Sequence, residues 1–374
     1  MGRGWSPTRP SGYIPPPPSA SRVCCARAAQ ISLNLTFVIG MREQSSETPP
    51  DVVGLGNAIV DVIAHADDGF LARESMVKGA MTLIESDRAE ALYARMGPAV
   101  EISGGSAANT MAGVASLGGR AAFIGKVRQD QLGTIFAHDI RAAGVTFRTP
   151  PASDGPPTAR SLIFVTPDAQ RTMNTYLGAS VELGPEDVDE ALVAAARVTY
   201  LEGYLWDRPR AKEAFRKAAR LAHAAGGKVA LTLSDPFCVE RHREEFLQLI
   251  RGPVDILFAN EAEIRSLWQV QDFDAARAAT RGLVEVAVLT RSEKGCVILS
   301  TKDEEAVPAA AVERVVDTTG AGDLFAAGFL YGYTKGHSLK QAAQIGALCA
   351  AEVISHVGAR PETSLAALVA ERLV

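Results

Sequence analysis

The amino-acid sequence predicts an α/β protein, with a central, mostly parallel β-sheet, helices on both of its faces and a few short strands set apart from it. Three observations carry this prediction. From residue 186 onward helix-like and strand-like stretches alternate, with helices over 186–196, 209–225, 240–250 and 261–268 and strands over 198–201, 228–233 and 255–259, the pattern of β-α-β units. The strands are near-continuous apolar runs such as Val229-Ala230-Leu231-Thr232-Leu233, which suits burial on both faces. Polar residues and glycines cluster just after the strands, where open α/β sheets hold ligands.

Composition narrows the function classes. A chain of 374 residues with 47% hydrophobic and 22% charged residues is long enough for one large domain or two small ones. The formal net charge is −5, and residues 1–42 hold five Arg and no Lys, Asp or Glu, so the remainder carries −10. An acidic body without a basic run argues against nucleic acid as a partner. The five cysteines, Cys24, Cys25, Cys238, Cys296 and Cys349, show no CxxC spacing, so neither a disulfide framework nor a zinc site is expected. Buried free thiols in a reducing, cytoplasmic setting are the expectation. No apolar run approaches the ~20 residues that span a bilayer, and no membrane partner is expected.

Taken in order, residues 1–49 stand apart. Pro15 to Pro18 form a polyproline run, Ser and Arg are frequent, and acids are absent before Glu43, so the segment is expected to be disordered. It is either a transit-like leader or a reading frame extended upstream of Met41. The second is favoured, because the apolar stretch 31–39 is short and broken by Asn34 and Thr36.

The folded domain, predicted over 50–374, opens with the buried strand Val52-Val53-Gly54-Leu55 ended by Gly56. Asn57 and Asp61 follow as polar residues in an apolar run, so each must satisfy local backbone or face a ligand. Residues 70–84 alternate apolar and polar and read as short strands at an edge or in a flap; 86–96 read as a helix. Gly104-Gly105 then lead into a helix of small residues bearing Asn109, which allows close approach to the backbone. After a Pro/Gly/Ser-rich loop over 150–158, residues 159–165 and 171–176 read as two strands joined by a turn. Asn260-Glu261-Ala262-Glu263 has the form of a capping box. Residues 286–289 and 296–299 make a hairpin around Thr290 to Gly295, and 338–353 form a helix that ends near Gly358-Ala359-Arg360-Pro361.

The chemistry centres on Val316-Asp317-Thr318-Thr319-Gly320-Ala321-Gly322-Asp323. After Asp323 apolar residues recur with helical spacing, so Asp323 lies in a first turn. The amides of Gly320, Ala321 and Gly322 and the helix dipole would cradle an anion, and an ionised Asp323 could accept a hydroxyl proton. The alternative is a tight turn with a capping Asp.

The run 316–329 resembles the second signature of the PfkB family of carbohydrate and nucleoside kinases, and 102–133 resembles the first. The resemblance covers about residues 51–360. It implies a ribokinase-like fold with a small β-strand lid, formed within about 62–86 and 158–178, and an ATP- and Mg²⁺-dependent transfer of phosphate to an alcohol. By it Asp323 is the catalytic base, Gly104, Gly105 and Asn109 bind the sugar or ribose, and Arg171 points to the transferred phosphate, although a solvated strand charge is an equal reading. Asn260 and Glu263 match an Asn-x-x-Glu element that places phosphate and magnesium, often through water; Thr290 and Gly295 match an ATP-contacting turn in which Ser292 replaces a glycine. The 358–361 turn is placed near the adenine pocket. The spacing Gly-Asn-x-x-x-Asp resembles the opening of adenosine kinases, whose matching Asp binds both ribose hydroxyls, and Leu233-Ser234-Asp235-Pro236-Phe237 is similar to a segment of the same enzymes. Adenosine is therefore the favoured acceptor. A sugar kinase is the runner-up, because Gly104 to Asn109 and Arg171 to Ser180 look more like sugar kinases, and a non-catalytic sensor is a third reading. Tyr204 and Trp206 are candidates to stack on a purine. A monovalent cation and the choice between monomer and homodimer stay open.

Overall fold

The computed structural model describes residues 48–168 and 170–373. The expectations for 1–49 fall almost wholly on residues outside the described ones, as do Cys24 and Cys25. In chain order the elements are β1 (Val52–Leu55), β2 (Ile59–His65), α1 (Asp68–Arg73), β3 (Met81–Leu83), α2 (Ser86–Tyr93), β4 (Ala99–Gly104), α3 (Ser106–Ser116), β5 (Ala121–Ile124), α4 (Gln131–Ala142), β6 (Thr146–Phe147), β7 (Ala159–Val165) and β8 (Arg171–Tyr176). There follow α5 (Glu190–Ala195), β9 (Val198–Glu202), α6 (Pro209–Ala224), β10 (Lys228–Thr232), α7 (Pro236–Ile250), β11 (Ile256–Asn260), α8 (Glu261–Trp268), α9 (Phe273–Thr280), β12 (Val286–Thr290), β13 (Cys296–Ser300), β14 (Glu304–Val307), α10 (Ala321–Thr334), α11 (Leu339–Val353) and α12 (Leu365–Arg372).

Nine strands form the main sheet in the order β14-β13-β12-β11-β10-β9-β1-β5-β6, parallel from β12 to β6 and antiparallel at β13 and β14. The apolar strand runs have the two-sided burial they predicted. Val52, Ala230, Ile256 and Val288 face one core with α3, α10 and α11. Their neighbours Val53, Leu231, Leu257 and Leu289 face a second core with α6, α7 and α8. Because successive side chains of a strand point to opposite faces, one run fills both layers. No helix among the described residues is long and apolar enough to cross a membrane, and Cys238, Cys296 and Cys349 are buried free thiols.

A second sheet, in the order β3-β8-β7-β2-β4, forms the predicted lid. The β7–β8 hairpin has the predicted bounds, closed by Thr166 N donating to Gln170 O at 3.0 Å. Val60, Val62, Leu162 and Phe164 bury one face of this sheet against Leu71 and Leu92, while Asp61, Ser161 and Met173 turn the other toward a cleft. Two expectations are corrected. The stretch from residue 70 is helical in α1, because Asp67 caps it, accepting from Phe70 N at 2.6 Å, and Leu71 buries inward; only Met81–Leu83 is a strand. Strand β4 lies outside the predicted lid range, its register set by pairing with β2 rather than by a pattern of its own.

Candidate active site

The cleft has a volume of about 420 Å³ and lies between the lid and the carboxyl ends of β10, β11 and β12, whose last residues Thr232, Asn260 and Thr290 line it. At its floor is Asp323 in the first turn of α10. The turn requires Gly320, with φ of 80° and a Cβ position 2.9 Å from Ala359 Cβ. Ser106 Oγ donates to Asp323 Oδ1 at 2.6 Å and Asn109 Nδ2 to Oδ2 at 3.1 Å. Burial raises the Asp323 carboxyl above the usual range, while these two donors and the Arg360 charge oppose the rise. One detail of the predicted anion cradle changes. The Ala321 amide donates to Thr318 O at 3.2 Å, whereas the amides of Gly322 and Asp323 find no acceptor among the described residues.

On the lid side, Asp61 faces the cleft from β2. Its carboxylate lies so close to Gly104 that a Cβ there would be 2.5 Å from Oδ2, which explains that glycine. Burial pushes Asp61 up to about 6, against the pull of Arg171 and Arg360. Gly105, φ 98°, caps α3 with Asn57 O where a Cβ would sit. Asn57, expected among the substrate-binding residues, does not line the cleft and packs behind it as a support. It is 1% exposed, its N and Nδ2 donate to Glu202 Oε1 at 3.1 and 2.8 Å, and Ser180 Oγ donates to its Oδ1 at 2.9 Å.

Glu202 is a residue that sequence reasoning missed. It is fully enclosed, and its Oε2 accepts from Ala107 N at the start of α3 at 2.8 Å. Burial raises it to about 7 despite these donors. The signal was available in a carboxylate ending an apolar strand just before Gly203. Ser106, Arg360 and Asp317 were missed as well. Arg171 is no solvated strand charge. It is buried and ion-paired with Asp317, which also accepts from Thr319 N at 3.0 Å, Thr319 Oγ1 at 2.7 Å and Gly358 N at 2.9 Å. Burial raises Asp317, but Gly358, Thr319 and Arg171 outweigh it and hold the carboxyl low. The 358–361 turn thus packs under the anion loop and against Asn109.

On the opposite side, Asn260 and Glu263 form the capping box in full, with Asn260 N donating to Glu263 Oε2 and Glu263 N to Asn260 Oδ1, each at 2.9 Å. Both also line the cleft, as does Thr290. Burial pushes Glu263 up to about 7. Gly295 is explained elsewhere, since a Cβ there would be 2.1 Å from Val307 O on β14. Of the two aromatic candidates, Tyr204 lines the cleft. Trp206 does not; it packs on Phe215 and Phe246 and donates to Glu245 at 3.1 Å. No group of three or more His, Cys, Asp or Glu suited to a metal occurs among the described residues.

An anion cradle touching a held carboxylate, with a second carboxylate across the cleft, is equipped to position an alcohol and a phosphate for transfer. The comparisons with known proteins agree. Residues 81–365 match the model of the pfkB family carbohydrate kinases. Adenosine kinase from Sinorhizobium meliloti is 58% identical with a TM-score of 0.81, over 87% of this chain and 99% of that one. A probable sugar kinase protein from Rhizobium etli is 56% identical, also with a TM-score of 0.81 and the same coverage. Adenosine kinase of Saccharomyces cerevisiae is 26% identical over 83% of this chain and 96% of its own length. The chain therefore belongs to the pfkB family of carbohydrate kinases, ATP-dependent enzymes that phosphorylate a hydroxyl group.

Proposed function

We propose that the protein phosphorylates the primary 5′-hydroxyl of adenosine. The observation that carries this reading is the Asp323 carboxylate, held by Ser106 and Asn109 beside open amides at the start of α10. Asp61 accepts from the two ribose hydroxyls, as a two-oxygen acceptor can, and Tyr204 stacks on the base. Asp323 takes the 5′-hydroxyl proton as the oxygen attacks the γ-phosphorus of ATP and the bond to the leaving diphosphate oxygen breaks. The amides of Gly322 and Asp323 receive the charge on the transferring group. Arg171 supports that turn through Asp317. The similarity to the Sinorhizobium adenosine kinase supports the choice of acceptor.

Magnesium, which the family implies, is tested by the donors present. A single carboxylate fits an ion that keeps most of its waters and takes its other ligands from phosphates. Glu263 offers that carboxylate on the cleft wall, oriented by Asn260, and would hold Mg²⁺ through water. When bound, the ion neutralises phosphate charge.

A sugar kinase is the second reading, favoured by the likeness to the Rhizobium protein. The test is ATP consumption by the full chain with Mg²⁺ and adenosine, inosine, guanosine, ribose, fructose or 2-keto-3-deoxygluconate. Turnover confined to adenosine is expected; turnover on a free sugar instead would replace the acceptor and keep Asp323. Tyr204→Leu is expected to raise KM for adenosine about tenfold or more, the scale of base stacking.

A further inference from the structure

A carboxamide has two orientations of nearly the same shape, and only one suits a proton acceptor beside it. With Nδ2 toward Asp323, Asn109 donates to the carboxylate; turned over, it would set its own oxygen against a carboxylate oxygen. The choice is made on the other side of the amide. There Arg360 Nε donates to Asn109 Oδ1 at 2.9 Å, and a guanidinium can only donate. Arg360 is itself held, since Nη2 donates to Ser103 O at 2.8 Å and Ser103 Oγ at 3.0 Å. Ser103 in turn donates from N and Oγ to Asp139 on α4, at 2.8 and 2.5 Å. One chain of contacts thus runs from α4 to the start of α10.

We propose that Arg360 is a positioning residue for the proton acceptor, fixing the donor face of Asn109 toward Asp323 and setting a cation beside Asp323 and Asp61. The proposal rests on the reading of Asp323 as the general base. The charged and titratable groups that face Asp323 are Asp61 from the lid, Tyr200 and Glu202 from β9, Tyr204 after it, and Arg360 from the C-terminal turn. Arg171 acts on Asp61. Of these groups Arg360 is the cation that bears on both carboxylates. Burial lowers the guanidinium to about 10, opposed by Asp139, Asp61 and Asp323, so it stays charged at neutral pH. Removing it would turn Asn109 loose and extend the pH range over which Asp323 is protonated.

The experiment is the pH profile of kcat and KM, from about pH 5 to 9, for ATP consumption with the acceptor that the wild-type chain turns over. Arg360→Gln is expected to lower kcat about 10- to 100-fold and move the acid limb up by about one pH unit, with KM for the acceptor within about threefold. Arg360→Lys keeps the charge but not the planar fork, so its kcat falls while the limb stays within a few tenths of a unit. Added guanidinium is expected to restore part of the activity of Arg360→Ala. Should the Gln variant not fold, the Lys profile and the guanidinium rescue decide. An unshifted limb with near-normal kcat in Arg360→Gln, or Lys and Gln variants that differ from wild type only in Tm, would overturn the proposal and leave the kinase reading standing. A wild-type chain that consumes no ATP with any of the nucleoside or sugar acceptors overturns both.

Discussion

Two helices point their N-termini at the same cleft, and they are finished in opposite ways. Both α3 and α10 start from a glycine with positive φ and lack a side-chain cap. At α3 the buried first-turn amide of Ala107 is answered from within by the buried carboxylate of Glu202. At α10 the amides of Gly322 and Asp323 have no acceptor among the described residues, and a Cβ at Gly322 would meet nothing within 4 Å. A helix start favours an anion in either case; the protein answers one itself and leaves the other without an acceptor among the described residues. The filled one becomes a rigid mount, from which Ser106 and Asn109 reach across to hold Asp323. The difference teaches that one local device can serve either stability or chemistry, depending on whether a buried acid stands before it.

Substitutions that break this contrast rank by size. Asp323→Asn is expected to lose at least ~100-fold in kcat, the lower range for a positioned base, while calorimetry still registers adenosine binding; near-normal turnover would sink the base assignment. Glu202→Ala strikes the other helix start. It leaves the donors of Asn57 and Ala107 unpaired at about 1–3 kcal/mol each, a loss that urea unfolding measures, and an unchanged midpoint would remove Glu202 from its supporting role. Gly322→Ala is the converse case, expected to keep the midpoint within about 0.5 kcal/mol and to lower kcat/KM for ATP about tenfold or more, as when an oxyanion donor is displaced. Equal losses of stability from both helix-start changes would erase the distinction.

A separate expected effect is a dependence of stability on pH. Glu202 and Glu263, raised to about 7, and Asp61, raised to about 6, bind protons more tightly in the folded chain than when unfolded. Between the ordinary carboxylate range near pH 4.5 and about pH 7, the native state holds more protons. Its stability therefore falls as pH rises through that window and levels off above it. Urea midpoints at several pH values should show this slope, and Glu202→Gln should flatten part of it.

Much of this was legible in the chain. The two-sided apolar strands gave away a covered parallel sheet, because the alternation of side chains along a strand demands a core on each face, and Val52 and Val53 fill one each. The turn before Asp323 was readable because glycine and helical periodicity are local signals. The alternation after residue 70 misled, since a short helix capped by Asp67 produces nearly the same pattern. Asn57 misled for another reason. A polar residue in an apolar run announces only that it needs a partner, and its partner Glu202 is far away in sequence.

What the sequence by itself determined is therefore local: strand and helix periods, the glycine turns, the capping box at Asn260 and Glu263, and the place of Asp323 in the first turn of a helix. Only the tertiary structure decided which polar groups meet. Asp323 with Ser106 and Asn109, Asn57 with Glu202, Arg171 with Asp317 and Arg360 with Asn109 are pairs separated by more than a hundred residues. A buried donor or acceptor must find a partner, but spacing along the chain does not say which one, because the folding of the sheet and its lid brings those partners together.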